Sequence, residues 1–108
     1  MKSLGIDLGT TSLCVAGYEE GKDRLSFVTE RENAFLKGSF EQDPDLILRK
    51  VMEMLEEAEE NGFGPGEIRA VGISGQMHGI LYVDAAGRAV SPLYTWKDGK
   101  GKGLRTED

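Results

Sequence analysis

Cysteine is nearly absent from this sequence: Cys14 is the only one in 108 residues. A lone thiol excludes a disulfide framework and fits a reducing compartment. Its apolar, strand-type neighbours favour a buried filler over a catalytic thiol, since no partner base lies nearby. Positive charge is also scarce. Lys and Arg number 13 against 19 Asp and Glu, for a net charge of −6 and a pI near 4.8. With no basic stripe, the composition argues against a nucleic-acid partner and against anionic membrane surfaces. No apolar run is long enough to span a membrane. Met1-Lys2-Ser3 leads straight to Asp7 without a secretory leader, so a cytoplasmic protein is expected. The length suffices for one modest domain with a core, and not for two lobes.

Glycine, by contrast, is plentiful: 15 residues of 108, about twice the usual share of roughly 7%. The glycines fall in turns and at strand ends. The chain is organised around Gly5-Ile6-Asp7-Leu8-Gly9-Thr10-Thr11-Ser12. Leu4-Gly5-Ile6 reads as the end of a short buried strand and residues 13–18 as a second strand, rich in small and β-prone residues, so the two form a hairpin. Its tip carries a carboxylate, a glycine and three consecutive hydroxyls. Gly9 permits both a tight turn and the close approach of a ligand. The amides of Gly9, Thr10 and Thr11 could form an anion-binding concavity, with hydroxyls through Ser12 as further donors. Asp7 would face it and hold Mg²⁺ against phosphate oxygens, directly or through water. The alternative is a hairpin loop that is rich in Gly, Thr, Ser and Asp for turn reasons alone. A P-loop is excluded, because no Gly-Lys-Ser/Thr opens a helix here.

Further along, Glu19–Arg24 is a polar turn, and Leu25–Arg31 alternates well enough to be a third strand, antiparallel to the second. Residues 33–40 carry no clear assignment. Asp43 is a natural N-cap, Pro44 suits the first helical position and Asp45 adds favourable charge. Leu48, Val51, Met52, Leu55 and Ala58 then form the predicted apolar stripe of a helix, with methionine as core filler. Asn61-Gly62 closes it. Glu67–Ser74 reads as a buried strand parallel to the first. Gly75-Gln76-Met77-His78-Gly79 is a second compact polar cluster. Ile80–Val83 reads as a strand, Asp84–Arg88 as a hairpin turn, and Ala89–Trp96 as the returning strand.

Gly5–Ser12 resembles the first phosphate motif of the sugar kinase, Hsp70 and actin superfamily, where it ends the first strand of a ribonuclease-H-like lobe and faces the ATP γ-phosphate. The second cluster narrows the resemblance. Ala70–Gly79, followed by Asp84–Gly87 and Pro92-Leu93-Tyr94-Thr95-Trp96-Lys97-Asp98, resembles the amino-terminal lobe of FGGY carbohydrate kinases. Glu41-Gln42-Asp43-Pro44 resembles the stretch before the first helix there. Nearly the whole chain is covered. Met77-His78 is similar to the ketose branch, xylulokinase and sedoheptulokinase, whereas the glycerol kinase branch carries Arg-Glu. The Thr95-Trp96-x-Asp98-Gly99 ending leans toward the sedoheptulokinase-like members.

The resemblance implies an α/β, ribonuclease-H-like partial lobe with a mixed sheet, spanning residues 1–108. It implies ATP and Mg²⁺ as cofactors, a sugar substrate, and phosphoryl transfer to a ketose-type hydroxyl. Gly9, Thr10, Thr11 and Ser12 would bind the nucleotide phosphate, and Asp7 the metal. Met77 would pack on the sugar, His78 would hydrogen-bond its hydroxyls, Asp98 would line the cleft and Gln76 would orient groups there. Read from the residues alone, His78 is equally a satisfied loop histidine, Asp98 a turn residue before Gly99, and Trp96 a core side chain. The family's general base is an aspartate later in the lobe, and its second phosphate motif and adenosine pocket lie in a second lobe, so no catalytic residue is assigned here. The chain is expected not to turn over by itself and to self-associate. Two other readings stand beside this one: a non-catalytic sugar- or phosphate-binding piece, and an Hsp70-like ATPase fragment.

Overall fold

A computed structural model describes residues 1–22, 24–76 and 79–95. Strands β1 (Lys2–Leu8), β2 (Ser12–Glu19) and β3 (Phe27–Glu32) form an antiparallel meander. A two-residue strand β4 (Glu41–Gln42) precedes helix α1 (Pro44–Glu60), and β5 (Ile68–Gly75) returns parallel to β1. The main sheet runs β3-β2-β1-β5, and a short β6 (Leu93–Tyr94) pairs with β4 in a second, two-stranded sheet. The architecture is α/β with a mixed sheet, and the meander, the helix and the parallel crossover follow the sequence pattern.

Period-two alternation places Leu4, Leu13 and Val15 on one face, where they are buried beneath α1 together with Val51, Met54, Ala58 and Phe63. Gly17 lies under the Phe63 ring, and a Cβ there would meet ring carbons at 2.7 Å, so only glycine admits this contact. Helix α1 starts as the caps dictate. Asp43 is extended, and its Oδ1 accepts from the amides of Asp45 at 3.0 Å and Leu46 at 3.3 Å.

The buried row of α1 differs from the predicted one. Leu48 is 61% exposed and Met52 52% exposed, while Val51, Met54 and Ala58 are buried and Ile47 partly so. The helix packs on β2 and β3. That contact centres on Ile47, Val51, Met54 and Ala58, and Leu48 is turned about 100° away from this row. Two apolar rows were available in the sequence, and packing selected one.

Strand β5 has the apolar composition of a buried strand, yet Val71 is 52% exposed and Ile73 70%, because among the described residues β5 is an edge strand and α1 covers the other end of the sheet. Two further expectations are corrected. Residues 80–83 make no strand. Ile80 and Val83 form isolated bridges with Tyr94 and Ala89, and the Asp84–Arg88 turn between them is held by Asp84 Oδ1, which accepts from the Ala86 and Arg88 amides. Cys14 is half-buried rather than sealed in the core, because it faces away from α1. Among the described residues no helix is long and apolar enough to cross a membrane.

Candidate functional site

Parallel pairing puts the carboxyl ends of β1 and β5 side by side, with Leu8 opposite Gly75. The Gln76 amide donates to the Leu8 carbonyl at 2.9 Å and extends the pairing by one step. Two loops therefore leave the sheet together: residues 9–11 after β1, and the segment from Gln76 after β5. The crevice beyond the carboxyl ends of parallel strands is where open α/β sheets collect ligands. Gly9 is required by the turn itself, since a Cβ would stand 2.7 Å from the Ser12 carbonyl oxygen.

The backbone of the first loop is drawn inward by two buried amides. Asn33 Nδ2 donates to the Gly9 carbonyl at 2.7 Å, Gln42 Nε2 to the Thr10 carbonyl at 2.7 Å, and the Asn33 amide to the Thr11 carbonyl at 3.0 Å. In a planar trans peptide the N–H points opposite to the preceding carbonyl. The Thr10 and Thr11 amides are thus aimed away from Asn33 and Gln42, which is the orientation an anion cradle needs. Neither Asn33 nor Gln42 was singled out in the sequence for this role. For Asn33 the only signal was polarity in a stretch without apolar spacing, which reads equally as a surface loop, and Gln42 stood out only as part of the Glu41–Pro44 stretch, with no role attached.

Asp7 lies on the sheet face away from α1, where Gly5, Ala16 and Gly72 leave a shallow depression of about 420 Å³ that also borders Cys14 and Ser74. Ser74 Oγ donates to Asp7 Oδ1 at 2.9 Å. Burial pushes the Cys14 thiol above its ordinary range, and the negative charges of Glu30 and then Asp7 push it further, so at neutral pH it is a protonated thiol and no nucleophile. No group of three or more His, Cys, Asp or Glu among the described residues could hold a metal ion. A single carboxylate such as Asp7 suits a hard cation whose other ligands are phosphate oxygens and water. Mg²⁺ is commonly held in this way, so the residues present fit it.

The structure brings Asp7, Gly9, Thr10, Thr11, Ser12 and Gln76 to one end of the sheet. Met77, His78 and Asp98, with Trp96, lie outside the described residues. Gln76 Nε2 donates to Gln42 Oε1 at 2.9 Å, while Gln76 Oε1 is buried and accepts no hydrogen bond among the described residues.

Comparison with known proteins gives a consistent result. Residues 2–107 match the FGGY family of carbohydrate kinases, N-terminal domain. The chain is 35% identical to sedoheptulokinase of Mus musculus, covering 91% of this chain and 26% of that protein. It is 30% identical to xylulose kinase of Escherichia coli (strain K12), covering 90% and 20%. A crystal structure of a xyloylose kinase from Brucella ovis superposes with a TM-score of 0.78 at 28% identity, covering 94% of this chain and 22% of that one. The chain thus spans about a fifth to a quarter of the relatives it matches.

Proposed function

The chain belongs to the FGGY family of carbohydrate kinases, and we propose that residues 1–108 form the opening part of the amino-terminal lobe of an ATP-dependent kinase acting on a ketose-type sugar. The observation that carries this reading is the placement of the two loops. The Gly9–Ser12 turn and the segment from Gln76 emerge together from the carboxyl ends of β1 and β5. One is built for phosphate. The other leads into Met77-His78, the pair in which the chain resembles the ketose branch. The identities with a sedoheptulokinase and a xylulose kinase support the same sugar class. Membership of the sugar kinases, over residues 2–107, removes the chaperone-like ATPase reading.

In this proposal the Thr10 and Thr11 amides and the hydroxyls through Ser12 receive the terminal phosphate of ATP. Asp7, oriented by Ser74, would hold a cation, which would supply charge neutralisation for the transfer. Met77 packs against the sugar, His78 hydrogen-bonds its hydroxyls, Asp98 lines the same cleft, and Gln76 orients groups there. The general base that takes the hydroxyl proton is not assigned to any residue of this chain. We also place the protein in the cytoplasm and expect it to self-associate.

Titration of ¹⁵N-labelled protein tests the reading. Magnesium ATP is expected to move the amide resonances of residues 9–12, and D-xylulose or sedoheptulose those of Gln76 and Gly79. Resonances of residues 9–12 that stay fixed at millimolar magnesium ATP would overturn it.

A further inference from the structure

We infer that Gln42 is a positioning residue that couples the Gly9–Ser12 turn to the segment beginning at Gln76. The inference rests on the proposal that these loops receive phosphate and sugar, and it names how the chain keeps the two in register.

Gln42 is 0% exposed, yet its side chain is an amide with two donors and an acceptor to satisfy. It satisfies them by spanning the loops. Nε2 donates to the Thr10 carbonyl at 2.7 Å and to the Asn33 carbonyl at 3.3 Å. Oε1 accepts from Gln76 Nε2 at 2.9 Å and more weakly from Asn33 Nδ2 at 3.4 Å. The donor end of the amide thus faces the first loop and the acceptor end faces the second. Because the amide is planar, a shift of Gln76 that rotates the group at Oε1 also moves Nε2 and the Thr10 carbonyl it holds. The peptide plane after Thr10 turns with that carbonyl, and with it the Thr11 amide. Asn33 keeps the adjoining Gly9 and Thr11 carbonyls in place, so the disturbance is confined to the centre of the turn.

Gln42 is held where it can do this by the second, two-stranded sheet, in which it pairs with Leu93, and by Asp43, the N-cap that follows it. Movement at the sugar side is thereby passed to the phosphate side through one side chain. By linkage the effect runs equally in the other direction.

The test uses the ¹⁵N-labelled chain and the variant Gln76→Met, which keeps side-chain length but removes the donor to Gln42. Gln76 donates through its side chain to Gln42 Oε1 and through its backbone amide to the Leu8 carbonyl. The expected result is a shift of the Thr11 amide resonance in Gln76→Met, with the Thr10 amide, whose peptide plane Asn33 holds through the Gly9 carbonyl, moving less. That shift is expected to disappear when the same change is made in a Gln42→Glu background, where the size of residue 42 is kept and the donor to Thr10 is lost. A role for Gln76 in stability alone would lower Tm and leave the Thr11 resonance in place. An unmoved Thr11 resonance in Gln76→Met overturns the inference, and so does an equal shift in both backgrounds. Should Gln42→Glu not fold, Gln42→Met takes its place as background. Magnesium ATP added to the wild-type chain is read separately. Coupling without a nucleotide response keeps Gln42 as a positioning residue and removes the phosphate reading, and the reverse pattern does the opposite.

Discussion

Ser74 Oγ donates to Asp7 Oδ1 at 2.9 Å, a hydrogen bond between residues 67 positions apart that the parallel register of β1 and β5 makes possible. It fixes the orientation of the carboxylate proposed to hold the cation, on a face where small residues leave it open. Asp7→Asn in an active kinase carrying this segment is expected to lower kcat by roughly a hundredfold or more with little change in sugar affinity. Ser74→Ala, which frees the carboxylate without removing it, is expected to cost only the net worth of one hydrogen bond, about 0.5–1.5 kcal/mol in transition-state stabilisation. Steady-state kinetics at varied Mg²⁺ checks both, and an Asp7→Asn kcat within a few-fold of wild type rules out the metal role.

The buried row of α1 predicts opposite fates for two methionines in the same helix. Met54→Ala removes a fully buried side chain and is expected to destabilise the fold by about 2–5 kcal/mol. Met52→Ala lies on the exposed flank and is expected to stay within about 0.5 kcal/mol of wild type. Urea unfolding of the two variants, compared by midpoint at constant slope, decides whether the helix is seated as described.

Cys14 gives stability a pH dependence whose sign can be worked out. Its thiol is raised above 9.0 in the folded state by burial, Glu30 and Asp7. The unfolded chain therefore releases this proton first as the pH rises. The thiol's contribution is fully present below about pH 9 and is lost as the pH rises from there through the folded value. Melting curves of the wild type and Cys14→Ala should run parallel at neutral pH and converge in alkali. Alkylation by iodoacetamide at pH 7 should be slower than that of a small free thiol.

Among the described residues β5 is an edge strand, and it offers that edge to a second copy of the chain with Val71 and Ile73 exposed beside it. Unprotected edges and bare apolar surface both favour association, and only Arg69 interrupts this strand with charge. Light scattering at tens of micromolar is expected to show a dimer or larger species, and Ile73→Lys to shift it toward monomer. A sharply melting wild-type monomer would contradict this.

Much of this structure was legible in advance because its signals are local. Asp43 and Pro44 announced the start of α1 through contacts within three residues. Gly9 announced the turn after β1 because no side chain fits against the Ser12 carbonyl. Small and β-prone residues on either side announced the hairpin, and a helix between strands implied the parallel return of β5. The phosphate-type loop and the Gln76–Gly79 cluster were read from contiguous residues, and their resemblance to one kinase family is matched over residues 2–107.

Other features depend on partners far away in the chain, and local pattern does not encode them. Whether Met52 or Met54 is buried depends on which strands α1 covers, since both rows are apolar. The β4–β6 pairing joins Glu41 to Tyr94 through two-residue strands too short to leave a periodic signal. Asn33 and Gln42 are polar residues in a stretch with no regular spacing, yet they are buried because Gly9, Thr10 and Gln76 meet them in space. The sequence by itself determined the turn chemistry, the helix ends and the strand alternation, all through interactions a few residues long. Only the tertiary structure decided which apolar row is covered, which strand edge stays bare and which amides tie the two loops together. Those outcomes depend on burial and hydrogen-bond satisfaction, which exist only once distant segments are brought into contact.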